Sequence, residues 1–168
     1  MKPKEWNRLS QEHREILEKY LSEYPVKVGQ IAKELNVKIK VSGMPTGISG
    51  QIKNEESGYI IRVNRYEARE RQRFTIAHEL AHFMLHKKLI DISAEGITDN
   101  VLYRSGAPEN TEYEANRLAA EIVMPTSQIE ETLRENFNKT VTEETIENLA
   151  ERFQVSKAAM EIRLSNFS

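Results

Sequence analysis

Apolar positions along this chain recur first with a period near 3.6, then near 2, then near 3.6 again. Ile16, Leu17, Tyr20 and Leu21, set among charges, predict an amphipathic helix over residues 5–23 that Pro25 stops. Val28, Ile31, Ala32 and Leu35 predict a second, short helix over 28–36. The period then switches: "VKIKV" alternates apolar and basic residues as a half-buried strand does. In "SGMPTGISGQIKNEESGYIIRVN", turns rich in Gly and Pro separate a weak strand over 48–53 from a stronger one over 59–63, with 54–58 as the hairpin loop. Residues 67–88 are helical in pattern, and 89–111 read as a long loop bearing Gly96, Gly106 and Pro108, a length that often carries function. Helices return at 112–124, closed by Pro125; at 128–136, behind a Ser127/Glu130 capping box; and twice within 142–164.

Helices, a small sheet, then helices again imply an α+β fold, mainly helical, with a mostly antiparallel three-stranded sheet. The 168 residues suit a single domain: an N-terminal helix in 1–24, a core in 25–125 and C-terminal helices in 126–168. Lys plus Arg number 24 against 26 Asp plus Glu, a net charge of −2 with a pI near 6.1. That balance advertises no broad basic surface, so direct DNA binding is not expected. The chain has no cysteine, which excludes disulfides, thiolate metal sites and cysteine nucleophiles. It carries no signal-like N-terminus and no apolar run near the roughly 18 residues of a membrane span, so a cytoplasmic protein without membrane contact is expected.

Three of the four histidines fall in "RFTIAHELAHFMLH". His78-Glu79-Leu80-Ala81-His82 is an H-E-x-x-H run, and on a helix its two rings project from one face about 6 Å apart along the axis, able to meet on one ion. Glu79, turned about 100° around the helix, is placed to hold a water beside the metal and take its proton. Zn²⁺ suits two imidazoles and a carboxylate, and apolar walls sharpen its effect. His86 lies about 12 Å along the axis from His78, too far to share the ion, and is read as a group behind the ligands or in the packing. The longer H-E-x-x-H-x-x-G-x-x-H pattern is excluded, because Leu85 and Lys88 stand where it needs Gly and His.

The third ligand must come from elsewhere, and "ENTEYEANRLAAEIVMP" offers Glu109, Glu112 and Glu114. On a helical wheel Glu112 shares the buried face with Ala115, Ala119, Ile122 and Val123, and Asn116 follows one turn on. Glu114 falls opposite, with Arg117 and Glu121, and is read as solvated. Glu112 is therefore the expected ligand and Asn116 the acceptor for a histidine's far N–H. No histidine follows His86, so Tyr103 and Arg104 in "LYRSG" are the candidates to steady an oxyanion. Residues 59–63 are read as a sheet edge to which a substrate strand adds, through Tyr59, Ile61 and Val63. Residues 149–164 have the rhythm of a helix-turn-helix but offer Lys157 and little else to DNA, so packing is the reading there.

"RQRFTIAHELAHFMLH" followed by "EYEANRLAAEIVMP", with "GISGQI" and "YIIRVN" upstream, resembles the ImmA/IrrE family of zinc metallo-endopeptidases over roughly residues 25–165. The resemblance implies a zincin-like core with one Zn²⁺ per chain on His78, His82 and Glu112, the last from an E-x-x-A-N motif, and catalysis by Glu79. Many members have glycine where this chain has Ala81. It also implies a protein substrate, a helix-turn-helix repressor whose cleavage derepresses genes of a mobile element or stress response. The alternative is a non-catalytic regulatory or toxin-antitoxin-type interaction protein in which a metal only braces the fold.

Overall fold

Ser10 divides the predicted N-terminal helix in two. A 3-10 turn at Lys4–Arg8 precedes it, and Ser10, extended at φ −64°, ψ 158°, accepts from the His13 N–H to cap helix α1 (Gln11–Tyr20). Such a cap contributes about 1 kcal/mol, and the break lets Trp6 and Leu9 reach the same core as Leu17 and Leu21. The structure is a computed structural model that describes residues 1–100, 109–136 and 140–167. Helix α2 (Val28–Glu34) buries Val28, Ile31 and Ala32 and leads into strand β1 (Lys38–Ser42).

Strands β2 (Ile48–Glu55) and β3 (Gly58–Asn64) form the predicted hairpin, with Ile52 opposite Ile61. The sheet around it differs from the expectation in two ways. It has four strands in the order β1-β3-β2-β4, and β1 runs parallel to β3, so the sheet is mixed. The additional strand, β4 (Ile97–Asn100), lies within the stretch read as loop, and a short helix α4 (Lys87–Asp91) runs from the end of the expected helix into it. Four residues are too few to display a period; β4 exists because β2 offers it a ladder, closed by a turn in which Gly96 has φ +66° and approaches the Ile52 carbonyl so closely that a Cβ would overlap it. Consequently β3 lies inside the sheet, with both edges paired. The proposed substrate edge at Tyr59, Ile61 and Val63 is therefore corrected: Ile61 and Val63 are core residues, and the Tyr59 hydroxyl donates to Asp91.

Helix α3 (Arg69–Leu85) lies between this sheet and helix α5 (Glu109–Val123). Being enclosed on two sides, it is apolar around most of its girth, and Ala77, Leu80 and Ala81 are fully buried. Gly50 of β2 sets how closely sheet and helix approach: a Cβ there would stand 2.5 Å from Thr75 Cγ2 and 2.8 Å from the Arg62 carbonyl oxygen.

Helix α6 (Thr126–Asn136) starts before the expected Ser127/Glu130 capping box, because the Glu121 carboxylate already accepts from the Thr126 N–H and hydroxyl. Helices α7 (Glu143–Phe153) and α8 (Lys157–Ser165) are capped by Thr142 and Ser156 and joined at Gln154, which has φ 53°. Lys157 is paired with Glu143 and Glu147. The Arg163 guanidinium is 2.7 Å from Glu121 and also donates to the Met124 carbonyl. Phe153, Met160 and Leu164 join the same contiguous core as the N-terminal residues.

Candidate metal centre

Three side chains on two helices converge. His78 and His82, one turn apart on α3, place their Nε2 atoms 3.1 Å from each other; Glu112 of α5 lies 3.1 Å from His78 Nε2 through Oε2 and 3.2 Å from His82 Nε2 through Oε1. Behind the site, His78 Nδ1 is 2.9 Å from Asn116 Oδ1, and His82 Nδ1 is 3.0 Å from His86 Nδ1. A proton on each Nδ1, shared with these rear partners, leaves the forward Nε2 atoms as lone pairs. Glu112 adds carboxylate oxygens, and Oε1 has no aligned donor among the described residues. Three bases crowded on one point repel each other unless a cation lies between them. Ligands about 2.0–2.1 Å from a tetrahedral zinc stand about 3.3 Å apart, close to these separations. The donor set therefore fits the metal. Burial holds His82 below the usual imidazole range, which keeps its ring neutral at neutral pH.

Glu79 sits beside this triad, fully buried, with both oxygens lacking a protein partner among the described residues. Burial first, then the nearby charges of Asp99 and Glu112, push its carboxyl well above the ordinary range. Asp99 comes from β4: His78, Glu79 and Asp99 each offer an atom within 4.8 Å of the others. The Arg71 guanidinium, 3.5 Å from Asp99, also donates to the Ser49 hydroxyl. β4 is the sheet edge nearest the site, with no further strand beside it among the described residues.

Glu114 is not solvated as the wheel suggested. Its side chain is 13% exposed and accepts from His86 Nε2 at 3.0 Å and from Arg8. The wheel sorts residues by apolar surroundings and is blind to polar partners arriving from another element. Glu109 begins α5 and accepts from the Tyr113 hydroxyl. Tyr103 and Arg104 lie outside the described residues. Asp99, Glu114 and Arg8 are the residues that sequence reading missed; none belongs to a local motif, and Asp99 sits in a segment with no readable period.

An apolar groove of about 470 Å³ lies between α3, α5 and α8, with Phe74, Asn116, Ala120, Ala159 and Ile162 among its walls. Asn116, at one point of this lining, is the residue that holds His78.

A family model for the IrrE N-terminal-like domain, Peptidase_M78, matches residues 32–165. The chain belongs to this family. Peptidase_M78 membership points to a metallopeptidase, and the matched span contains His78, Glu79, His82 and Glu112. Among solved structures, one described as a Mycobacterium tuberculosis transcriptional regulator aligns with a TM-score of 0.58 at 15% identity, covering 95% of this chain and 48% of that one. The likeness shows a shared fold, and the Peptidase_M78 chain spans about half the length of that regulator. No curated protein matches it. The Peptidase_M78 match begins after the 3-10 turn and α1, so Arg8 lies outside it. Among the described residues, no helix is long and apolar enough to cross a membrane.

Proposed function

We propose that the chain is a zinc-dependent endopeptidase. The observation that carries this reading is Glu79: a fully buried carboxyl without a partner among the described residues, beside three converging candidate ligands. A metal that merely braces a fold has no use for an uncompensated acid next to it, and burying one is costly.

His78, His82 and Glu112 hold the ion, which when bound supplies Lewis acidity and brings the pKa of a water to about 7. Glu79 takes the proton of the attacking water and passes it to the leaving amine, a role its raised proton affinity suits. Asn116 holds the His78 ring by accepting its Nδ1 proton. Tyr103 and Arg104 remain the candidate donors to the oxyanion. The substrate chain adds to the β4 edge, which carries Asp99 to the site, and continues into the groove along α8. The family, and a fold shared with a transcriptional regulator, support a protein substrate of the repressor class.

The test is incubation of zinc-loaded protein with helix-turn-helix repressors from the same genome, those encoded nearest to its gene first. A defined fragment is expected, absent with chelator and absent for Glu79→Gln, which retains zinc. Cleavage by Glu79→Gln at the parental rate removes the assigned role.

A further inference from the structure

His82 carries behind it a chain of contacts that coordination alone does not require. Its Nδ1 is 3.0 Å from His86 Nδ1, His86 Nε2 is 3.0 Å from Glu114 Oε1, and the Arg8 guanidinium donates to the other Glu114 oxygen. The direction of donation along this chain is forced from its outer end. Arg8 can only donate and an ionised Glu114 can only accept, so the proton shared between Glu114 and His86 sits on His86 Nε2. A singly protonated His86 then offers a bare lone pair at Nδ1. His82 Nδ1 must donate to it, and His82 Nε2 is left as a lone pair directed at Glu112 and His78.

We propose that Arg8, Glu114 and His86 are positioning residues of the metal centre, which fix the tautomer and orientation of the His82 ring through this single-direction chain. The inference rests on the reading of His78, His82 and Glu112 as a zinc site. It draws the N-terminal segment into the site as well. Arg8 belongs to the 3-10 turn, which is clasped to α5 a second time where Arg117 donates to Glu5 at 2.6 Å, with Trp6 and Leu9 buried beneath. A partly exposed pair such as Arg8–Glu114 contributes little to stability by itself. Its consequence should therefore be read in metal affinity, where partners behind a ligand are typically worth 10–100-fold.

The experiment measures zinc affinity of the full chain by competition with a chromogenic chelator, beside the unfolding midpoint of the chelator-stripped protein. His86→Leu, which fills the space without an acceptor, and Glu114→Ala are each expected to weaken zinc binding about 10–100-fold while the metal-free midpoint changes little. His86→Gln, which returns an acceptor oxygen, should recover most of the loss. Arg8→Ala should weaken binding less, and should add nothing once Glu114 is alanine, because both act through one chain. Long-range ¹H–¹⁵N spectra of the unsubstituted, zinc-loaded protein should place the His82 proton on Nδ1 and the His86 proton on Nε2, which tests the chain even where a variant does not fold. Parental zinc affinity in both His86→Leu and Glu114→Ala, or a His86 proton on Nδ1, overturns the proposal and leaves the zinc site standing. Failure of the unsubstituted chain to bind zinc overturns both.

Discussion

Glu79 is held where a carboxylate is least at home, and that placement has a measurable cost. Its pKa in the folded chain is raised by burial and by Asp99 and Glu112. A group raised in this way contributes its stability fully below the unfolded carboxylate value of about 4.3, and loses it as pH rises through the folded value. Above that unfolded value the buried acid therefore opposes folding of the metal-free protein, relative to lower pH. Glu79→Gln removes the titrating group at nearly constant shape, so the chelator-stripped variant should be more stable than the parent at pH 7, by about 1–3 kcal/mol in urea unfolding. The gain should shrink as the pH is lowered toward 4. A stability difference independent of pH would contradict this account. The same residue shows what a sequence can reveal at this scale. His78, Glu79 and His82 are legible because one helical turn determines their mutual geometry, and Glu112 and Asn116 because one wheel does. Glu114 was not, since its partners His86 and Arg8 come from two other elements.

At the scale of elements, the site depends on how closely β2 lies against α3. Gly50 sits beneath Thr75, one turn before Glu79 on α3, and opposite Asp99 on β4. A methyl group at this position meets the Thr75 side chain and the Arg62 carbonyl at distances real Cβ atoms do not tolerate. Gly50→Ala should therefore cost about 1–3 kcal/mol, and because the displaced helix is the one bearing both histidines, zinc affinity should fall with it. Parallel chelator competition and urea unfolding measure the two losses. The hairpin and long helices were legible because each displays several repeats of its own period. The parallel pairing of β1 with β3, the interior place of β3 and the existence of β4 were not. They follow from which strand finds an open ladder, and period-2 alternation says nothing about neighbours.

For the whole molecule, the last helix closes a groove against α3 and α5, the two helices that carry the candidate metal ligands. Helix α8 is anchored by a buried ion pair, Arg163 with Glu121, and by the Arg163 bonds to the Met124 carbonyl. Lys157, the cation that a DNA-reading helix would have offered, is engaged by Glu143 and Glu147. What α8 does present is a wall of small and apolar residues, Ala158, Ala159 and Ile162, facing Phe74 and Ala120 across a groove that reaches Asn116 behind His78. A cavity of this size and lining suits the side chains of an extended peptide. Ala159→Trp would fill it from the wall on α8, opposite the two helices that carry the metal ligands. If the groove seats the substrate, this variant should raise KM for the repressor about tenfold or more, the effect of losing roughly 1.4 kcal/mol of binding. The zinc affinity and the unfolding midpoint should remain parental. Because the bulk enters away from Glu79, kcat at saturating substrate should change far less than KM, which marks the loss of binding shared by ground state and transition state. Steady-state cleavage kinetics with parallel chelator competition separate the cases: an unchanged KM would remove α8 from the substrate path, and a fall in zinc affinity would mean that the bulge had reached the metal centre.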